Sequence, residues 1–129
     1  MNVPQELSYS KEHEWIRVEG GDCTVGVTDY AQDQLGDVVF VELPEVGEKF
    51  AINDAVASVE SVKAVSDIYL PLSGEIVTVN ESILDSPELI NEDPYGEGWI
   101  MKLRMDDSSE LEGLLSPSDY EKYVAEESE

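Results

Sequence analysis

The stretch from Val56 to Leu70 holds two β-prone runs on either side of Ser61, Val62 and Lys63. Val56, Val59 and Val62 come before Lys63; Val65, Ile68, Tyr69 and Leu70 come after it. β-Branched and aromatic side chains suit a pleated, half-buried surface, so each run reads as a strand and the interruption as a hairpin turn. The turn lacks Gly and Asn, which disfavours a primed two-residue turn and leaves a type I-based loop as the expectation. Lys63 then stands at or beside the tip with its amine in water. A lysine in that place is either a solubility device or a presented amine, and its surroundings decide between the two. Gly47 and Gly74 flank the hairpin, each beside a proline (Pro44, Pro71) and each where a strand would begin.

The rest of the chain follows the same short-strand rhythm. The residues up to Ser10 are polar and are expected to be loose. Trp15 to Val18 begins a strand, and Gly20-Gly21-Asp22 turns into a second at Cys23 to Val27. Thr28 is a good N-cap for a short helix from Asp29 to Leu35, closed by Gly36. Val38 to Val41 is a continuous apolar run and reads as a buried strand. A weaker strand is expected around Phe50 to Ile52, and a clean one from Glu75 to Val79. Ser86-Pro87 can open a short helical turn, and 91–98 reads as a Pro/Gly loop. Trp99 to Met105 alternates as the last strand, with Lys102 and Arg104 on the wet face. Asp107 with Glu110, and Ser116 with Pro117 and Asp119, mark two C-terminal helices, and 125–129 reads as an acidic frayed end. Leu111, Leu114 and Leu115 on one helix, and Tyr120, Tyr123 and Val124 on the other, are packing stripes. A faint echo with an offset of 27 residues relates Gly47-Glu48 and Ile52-Asn53 to Gly74-Glu75 and Val79-Asn80. It suggests two similar halves of one small β-structure meeting near Lys63. Many short strands with turn signals read as a small all-β sandwich or barrel. At 129 residues the expectation is one domain, 1–129, with a core over about 9–105 and a helical segment over about 107–126.

Charge excludes whole classes of partner. Seven basic residues face 30 acidic ones, a formal net charge of -23. Such a surface repels nucleic-acid phosphates and anionic lipid head groups, and favours basic patches on partner proteins. A solvated acidic shell, as in a salt-adapted source, would give the same composition. Cys23 is the one cysteine and His13 the one histidine, so no internal disulfide or multi-cysteine metal site is expected. His13 reads as structural. No apolar stretch approaches the ~20 residues of a membrane span, and the first residues lack the basic and apolar regions of a signal peptide. A cytoplasmic protein, bacterial or archaeal, is expected, or a mitochondrial-matrix one if the chain is a processed form. Catalysis reads poorly: one histidine, no nucleophile elbow and no phosphate loop, while acidic pairs among 30 carboxylates carry no weight. A stand-alone acidic hydrolase remains only as a distant rival.

A carrier asks less of these residues: one acylable amine, a rigid tip and a recognisable surface. Glu60-Ser61-Val62-Lys63-Ala64, with Gly47 before and Gly74 after, resembles the attachment site of a lipoyl carrier, and more narrowly that of the glycine cleavage H proteins. Other segments resemble the same family: His13-Glu14-Trp15, Val25 to Gln32, Leu35 to Pro44, and Asn91 to Trp99. The resemblance runs from about Tyr9 to Tyr123. It implies a flattened β-barrel of barrel-sandwich hybrid type, mainly β with short helices, two of them C-terminal. It implies lipoate on Lys63, with Glu60, Ser61, Val62 and Ala64 as the turn recognised by a lipoylating enzyme. It implies a non-catalytic carrier that takes an aminomethyl group from a pyridoxal-phosphate glycine decarboxylase (P protein) to a tetrahydrofolate-dependent aminomethyltransferase (T protein). A dihydrolipoamide dehydrogenase (L protein) then receives the electrons. It implies an arm-binding cleft near Glu14 and Asp67. Glu12 is a further candidate there, at a position where relatives often carry a small hydroxyl residue. A monomer is expected. A biotin carrier is disfavoured because no methionines flank Lys63. A 2-oxoacid dehydrogenase module is disfavoured because no Ala/Pro-rich linker is present. A lipoate relay to other enzymes shares the attachment site and stays open.

Overall fold

The computed structural model describes residues 2–128. Strand β1 (Ser8–Tyr9) leads into the hairpin of β2 (Glu14–Glu19) and β3 (Asp22–Val27). Helix α1 (Asp29–Leu35) begins as its capping residues dictate: the Thr28 side chain accepts from the Ala31 N–H, and Gly36 ends it at φ 81°. Then come β4 (Val38–Glu42), β5 (Lys49–Phe50), β6 (Ala55–Ser61), β7 (Val65–Tyr69) and β8 (Gly74–Val79). Two one-turn helices, α2 (Ser82–Asp85) and α3 (Leu89–Glu92), precede β9 (Met101–Met105). A 3-10 helix (Ser108–Gly113) and helix α4 (Pro117–Ser128) complete the described chain.

The strands form two antiparallel sheets, one ordered β1-β2-β3-β9-β8-β5 and one ordered β4-β6-β7. The fold is mainly β, a barrel-sandwich hybrid: the two sheets face a common core but do not join into one closed barrel. That core takes the inward residues of both sheets, among them Val25, Val41, Val59, Ile68, Ile76 and Leu103, with Leu70, Leu72, Ile83, Ile90 and Ile100 from the connections. A second cluster of Leu7, Tyr9, Trp15, Tyr120 and Val124 joins the two ends of the chain. Tyr9 exchanges backbone hydrogen bonds with Leu115 and stacks on Tyr120 at 4.7 Å between ring centroids. Trp15 lies across Gly26, where a Cβ would come within 2.6 Å of the indole.

Several expectations are corrected. The N-terminal segment is not loose: Leu7 and Tyr9 are buried, because α4 and Leu115 supply the cover that local sequence cannot. The run Val38 to Val41 is not uniformly buried: only Val38 and Val41 point inward, and a β-bulge leaves Val39 and Phe40 exposed. The Phe50–Ile52 strand shrinks to Lys49–Phe50, α2 forms where no element was expected, and α3, which follows the helical turn expected at Ser86-Pro87, takes Asn91 and Glu92 from the expected loop. The first C-terminal helix is 3-10, and α4 runs through the residues read as frayed as far as Ser128. Met1 and Glu129, the outermost residues of the expected loose ends, lie outside the described residues. The echoed segments do meet, but in the antiparallel β5–β8 pair, while the other sheet carries Lys63.

Candidate functional site

Strands β6 and β7 pair through Glu60 and Val65, and Val62, Lys63 and Ala64 make the turn between them. None of residues 61–64 has a positive φ, in keeping with a turn that has no Gly or Asn. Ser61 builds it from beneath. It is 6% exposed, its N–H donates to the Ala64 carbonyl at 2.8 Å, and its Oγ accepts from the Ala64 N–H at 3.1 Å and the Lys63 N–H at 3.3 Å. Ser61, expected as part of a recognised turn, is buried and braces that turn from within. Glu60, Val62, Lys63 and Ala64 are exposed.

A second brace comes from the α1–β4 connection. The Val62 N–H donates to the Asp37 carbonyl at 3.1 Å. The Lys63 stem lies over Gly36, so close that a Cβ there would sit 3.2 Å from Cε. Gly36 therefore ends a helix at positive φ and clears a path for the lysine at once. Asn91 on α3 fixes this connection: Nδ2 donates to the Gly36 carbonyl at 2.8 Å and Gln32 Oε1 at 3.1 Å, and Oδ1 accepts from the Val38 N–H at 2.8 Å. Sequence reading placed Asn91 in a loop and missed this role, because no spacing or composition signal marks a contact across 55 residues.

A cleft of about 410 Å³ opens beside the turn. Ala64, Val65 and Ser66 form one wall, Tyr30, Ala31, Gln34 and Leu35 another, and Glu12, His13 and Glu127 the far side. His13, at φ 67°, packs among Tyr30, Tyr120 and Tyr123. Its Nε2 lies 2.7 Å from Glu127 Oε2 and its Nδ1 2.9 Å from the Tyr120 hydroxyl. A carboxylate only accepts, so Nε2 carries the proton, and in the neutral ring Nδ1 accepts from Tyr120. His13 thus pins α4 against the cleft, the structural role its position suggests.

The three acids expected at one cleft have three different surroundings. Glu12 lines the cleft beside Lys63 and also a neighbouring cavity of about 280 Å³. Glu14 opens only onto that second cavity and is buried at 1% exposure. Its Oε1 accepts from the Ser10 hydroxyl at 2.7 Å and its Oε2 from the Tyr69 N–H at 3.0 Å. Burial raises its pKa to about 7; the two hydrogen bonds pull it down, and the Glu12 charge adds to the rise. Asp67 is exposed and faces a separate depression with Glu42 and Ser58. The fold therefore brings Glu12 and Glu14 together and leaves Asp67 apart.

An exposed amine on a doubly braced turn beside an open cleft can be acylated, and its attached arm has somewhere to lie. Residues 7–127 match the family described as glycine cleavage H-protein. The chain is 59% identical over 125 residues to a glycine cleavage system H protein of Symbiobacterium thermophilum, covering 97% of this chain and 98% of that one. It is 55% identical over 126 residues to the H protein of Halothermothrix orenii, covering 98% of each. A crystal structure of a glycine cleavage system H protein from Mycobacterium marinum superposes with a TM-score of 0.85 at 40% identity, covering 98% of this chain and 100% of that one. With the family matched along nearly its whole length and the fold matched with it, the chain belongs to the glycine cleavage H-protein family.

Proposed function

We propose that this chain is a single-domain lipoyl carrier of the glycine cleavage system, acylated on the Nζ of Lys63. As an H protein it is a carrier and not an enzyme. The observation that carries the site assignment is the turn itself: an exposed lysine held by Ser61 from below and by Gly36 and Asp37 from the side. The residues present fit the group. Lys63 is free of any ion pair within 4.0 Å among the described residues, and the adjoining cleft of about 410 Å³ is open at the turn. When bound, the dithiolane supplies reversible disulfide chemistry and a sulfur able to carry a one-carbon amine. The protein supplies position. Ser61, Gly36 and Asp37 orient the stem, the apolar faces of Leu35, Ala31 and Val65 keep water from one side of the cleft, and Glu12 offers a carboxylate for a cationic group. Glu14, in the neighbouring cavity, can hold a proton near neutral pH. Asp67 acts from outside this cleft. The partners are the glycine decarboxylase, the aminomethyltransferase, the dihydrolipoamide dehydrogenase and the lipoylating enzyme, met in a bacterial or archaeal cytoplasm.

The test is intact mass of the chain made in cells with lipoate machinery, followed by peptide mapping. One lipoyl adduct is expected on Lys63 and none on Lys63→Arg. An adduct on Lys49 or Lys102 in its place sinks the assignment.

A further inference from the structure

Four large apolar side chains are left in water at and beside the Lys63 turn: Val39 at 49% exposure, Phe40 at 52%, Val62 at 69% and Val65 at 65%. They are half of the eight such residues among those described. A scattered exposed valine needs no explanation, but a cluster on one rim does.

The cluster has a backbone cause. A regular strand would turn one of Val39 and Phe40 inward. The bulge between Val38 and Phe40 sets an extra residue opposite Glu60, and both side chains face solvent. Register then aligns them with the rest. Phe40 pairs with Glu60, and Glu60 with Val65, so these three form one row across β4, β6 and β7. The row spans two strand spacings, about 10 Å. Val62 stands two residues beyond Glu60, in the turn. The three strands carry only three charges, Glu42, Glu60 and Asp67, all carboxylates, and Asp37 adds a fourth beside the turn.

We propose that this bulged edge, Val39 and Phe40 with Val62 and Val65, is the docking surface for the enzyme that acylates Lys63. The matching face of that enzyme is apolar, with basic residues set to meet Glu60 and the carboxylates around it. The inference rests on acylation of Lys63 and adds the surface that makes it possible. Acylation itself argues for this occupant. The Nζ lone pair must reach the carbonyl carbon of a lipoyl adenylate. The amide C–N bond forms, the carbonyl carbon–phosphate oxygen bond breaks, AMP leaves, and the amine gives its proton to solvent. An active site that closes over Nζ covers whatever surrounds the turn. Glu60 in the middle of the row, with Glu42, Asp67 and Asp37 around it, calls for basic residues opposite, and the apolar side chains on either side of Glu60 gain by losing water.

The experiment measures acylation of the purified, unmodified chain by a lipoate–protein ligase supplied with lipoyl adenylate, read by intact mass. Phe40→Glu should raise the KM for the chain about tenfold and leave kcat within about twofold, as expected for loss of one apolar anchor. Phe40→Leu should stay near the parent. Val46→Glu, an equally exposed apolar position beyond the other end of β4, should stay near the parent too. Melting temperatures should agree within about 2 °C, as for exposed substitutions. A KM for Phe40→Glu within about twofold of the parent overturns the docking surface, as does an equal rise in Val46→Glu. So does a defect seen only in exchange with glycine decarboxylase, which would make that enzyme the occupant. Failure of the parent chain to be acylated on Lys63 is a separate outcome: it removes the carrier assignment and this inference with it.

Discussion

Glu14 is a carboxyl group with almost no water. Its folded pKa of about 7 lies above the ordinary 4.5. Between those values the unfolded chain releases the proton while the folded chain keeps it. Stability from this group is therefore fully present below pH 4.5 and is lost as pH rises through about 7. The penalty at alkaline pH is roughly 3 kcal/mol. Glu14→Gln keeps the shape, can accept from the Tyr69 N–H and can donate to Ser10. Its melting temperature should gain on the parent between pH 5 and 8, followed by thermal unfolding; parallel curves would mean that Glu14 is ionised throughout. The exposed turn that carries Lys63 was legible from its neighbours in sequence. The burial of Glu14 was not, since a carboxylate beside a strand reads as surface until the strand's partners are known.

Elements here are joined by a few polar clamps. Asn91 ties α3 to the α1–β4 connection with three hydrogen bonds, and through Gly36 and Asp37 it reaches the lysine turn. Asn91→Ala should cost about 2 kcal/mol and speed amide exchange at Val38, measured by denaturant unfolding and hydrogen exchange. Tyr120→Ala should cost about 3 kcal/mol, because the ring is fully buried against Tyr9 and its hydroxyl meets both His13 and Thr28. Helix α1 was legible to its caps, since Thr28 and Gly36 act locally. Strand β4 was legible as a strand but not in its burial, because whether an apolar run is buried depends on register and a bulge, which hydrophobicity does not encode. The fate of Leu7 and Tyr9 was hidden for a related reason: what covers them lies at the far end of the chain. The 3-10 helix after Asp107 kept its predicted start, where that side chain accepts from Ser109, but not its predicted type.

The whole molecule carries a net charge of -23, and among the described residues the contacts within 4.0 Å between basic and acidic side chains are Arg104 with Asp22 and the His13–Glu127 hydrogen bond. Self-repulsion opposes the compact state, and salt screens it. Raising KCl from about 20 mM to about 1 M should raise the melting temperature by several degrees; a flat response would show that the fold already balances its own field. Architecture was legible as a class, a small β-structure with helices near its end, while the split into sheets of six and three strands needed pairings no local pattern specifies. The cluster that holds the two ends together also sets a schedule. His13 and Tyr120 are 107 positions apart, and Leu7, Tyr9 and Trp15 wait for α4 to cover them. During synthesis those N-terminal apolar residues emerge first and are sheltered last. The β6–β7 hairpin is local and closes early. A growing chain therefore exposes the Lys63 turn before α4 brings Glu127 to the cleft beside it.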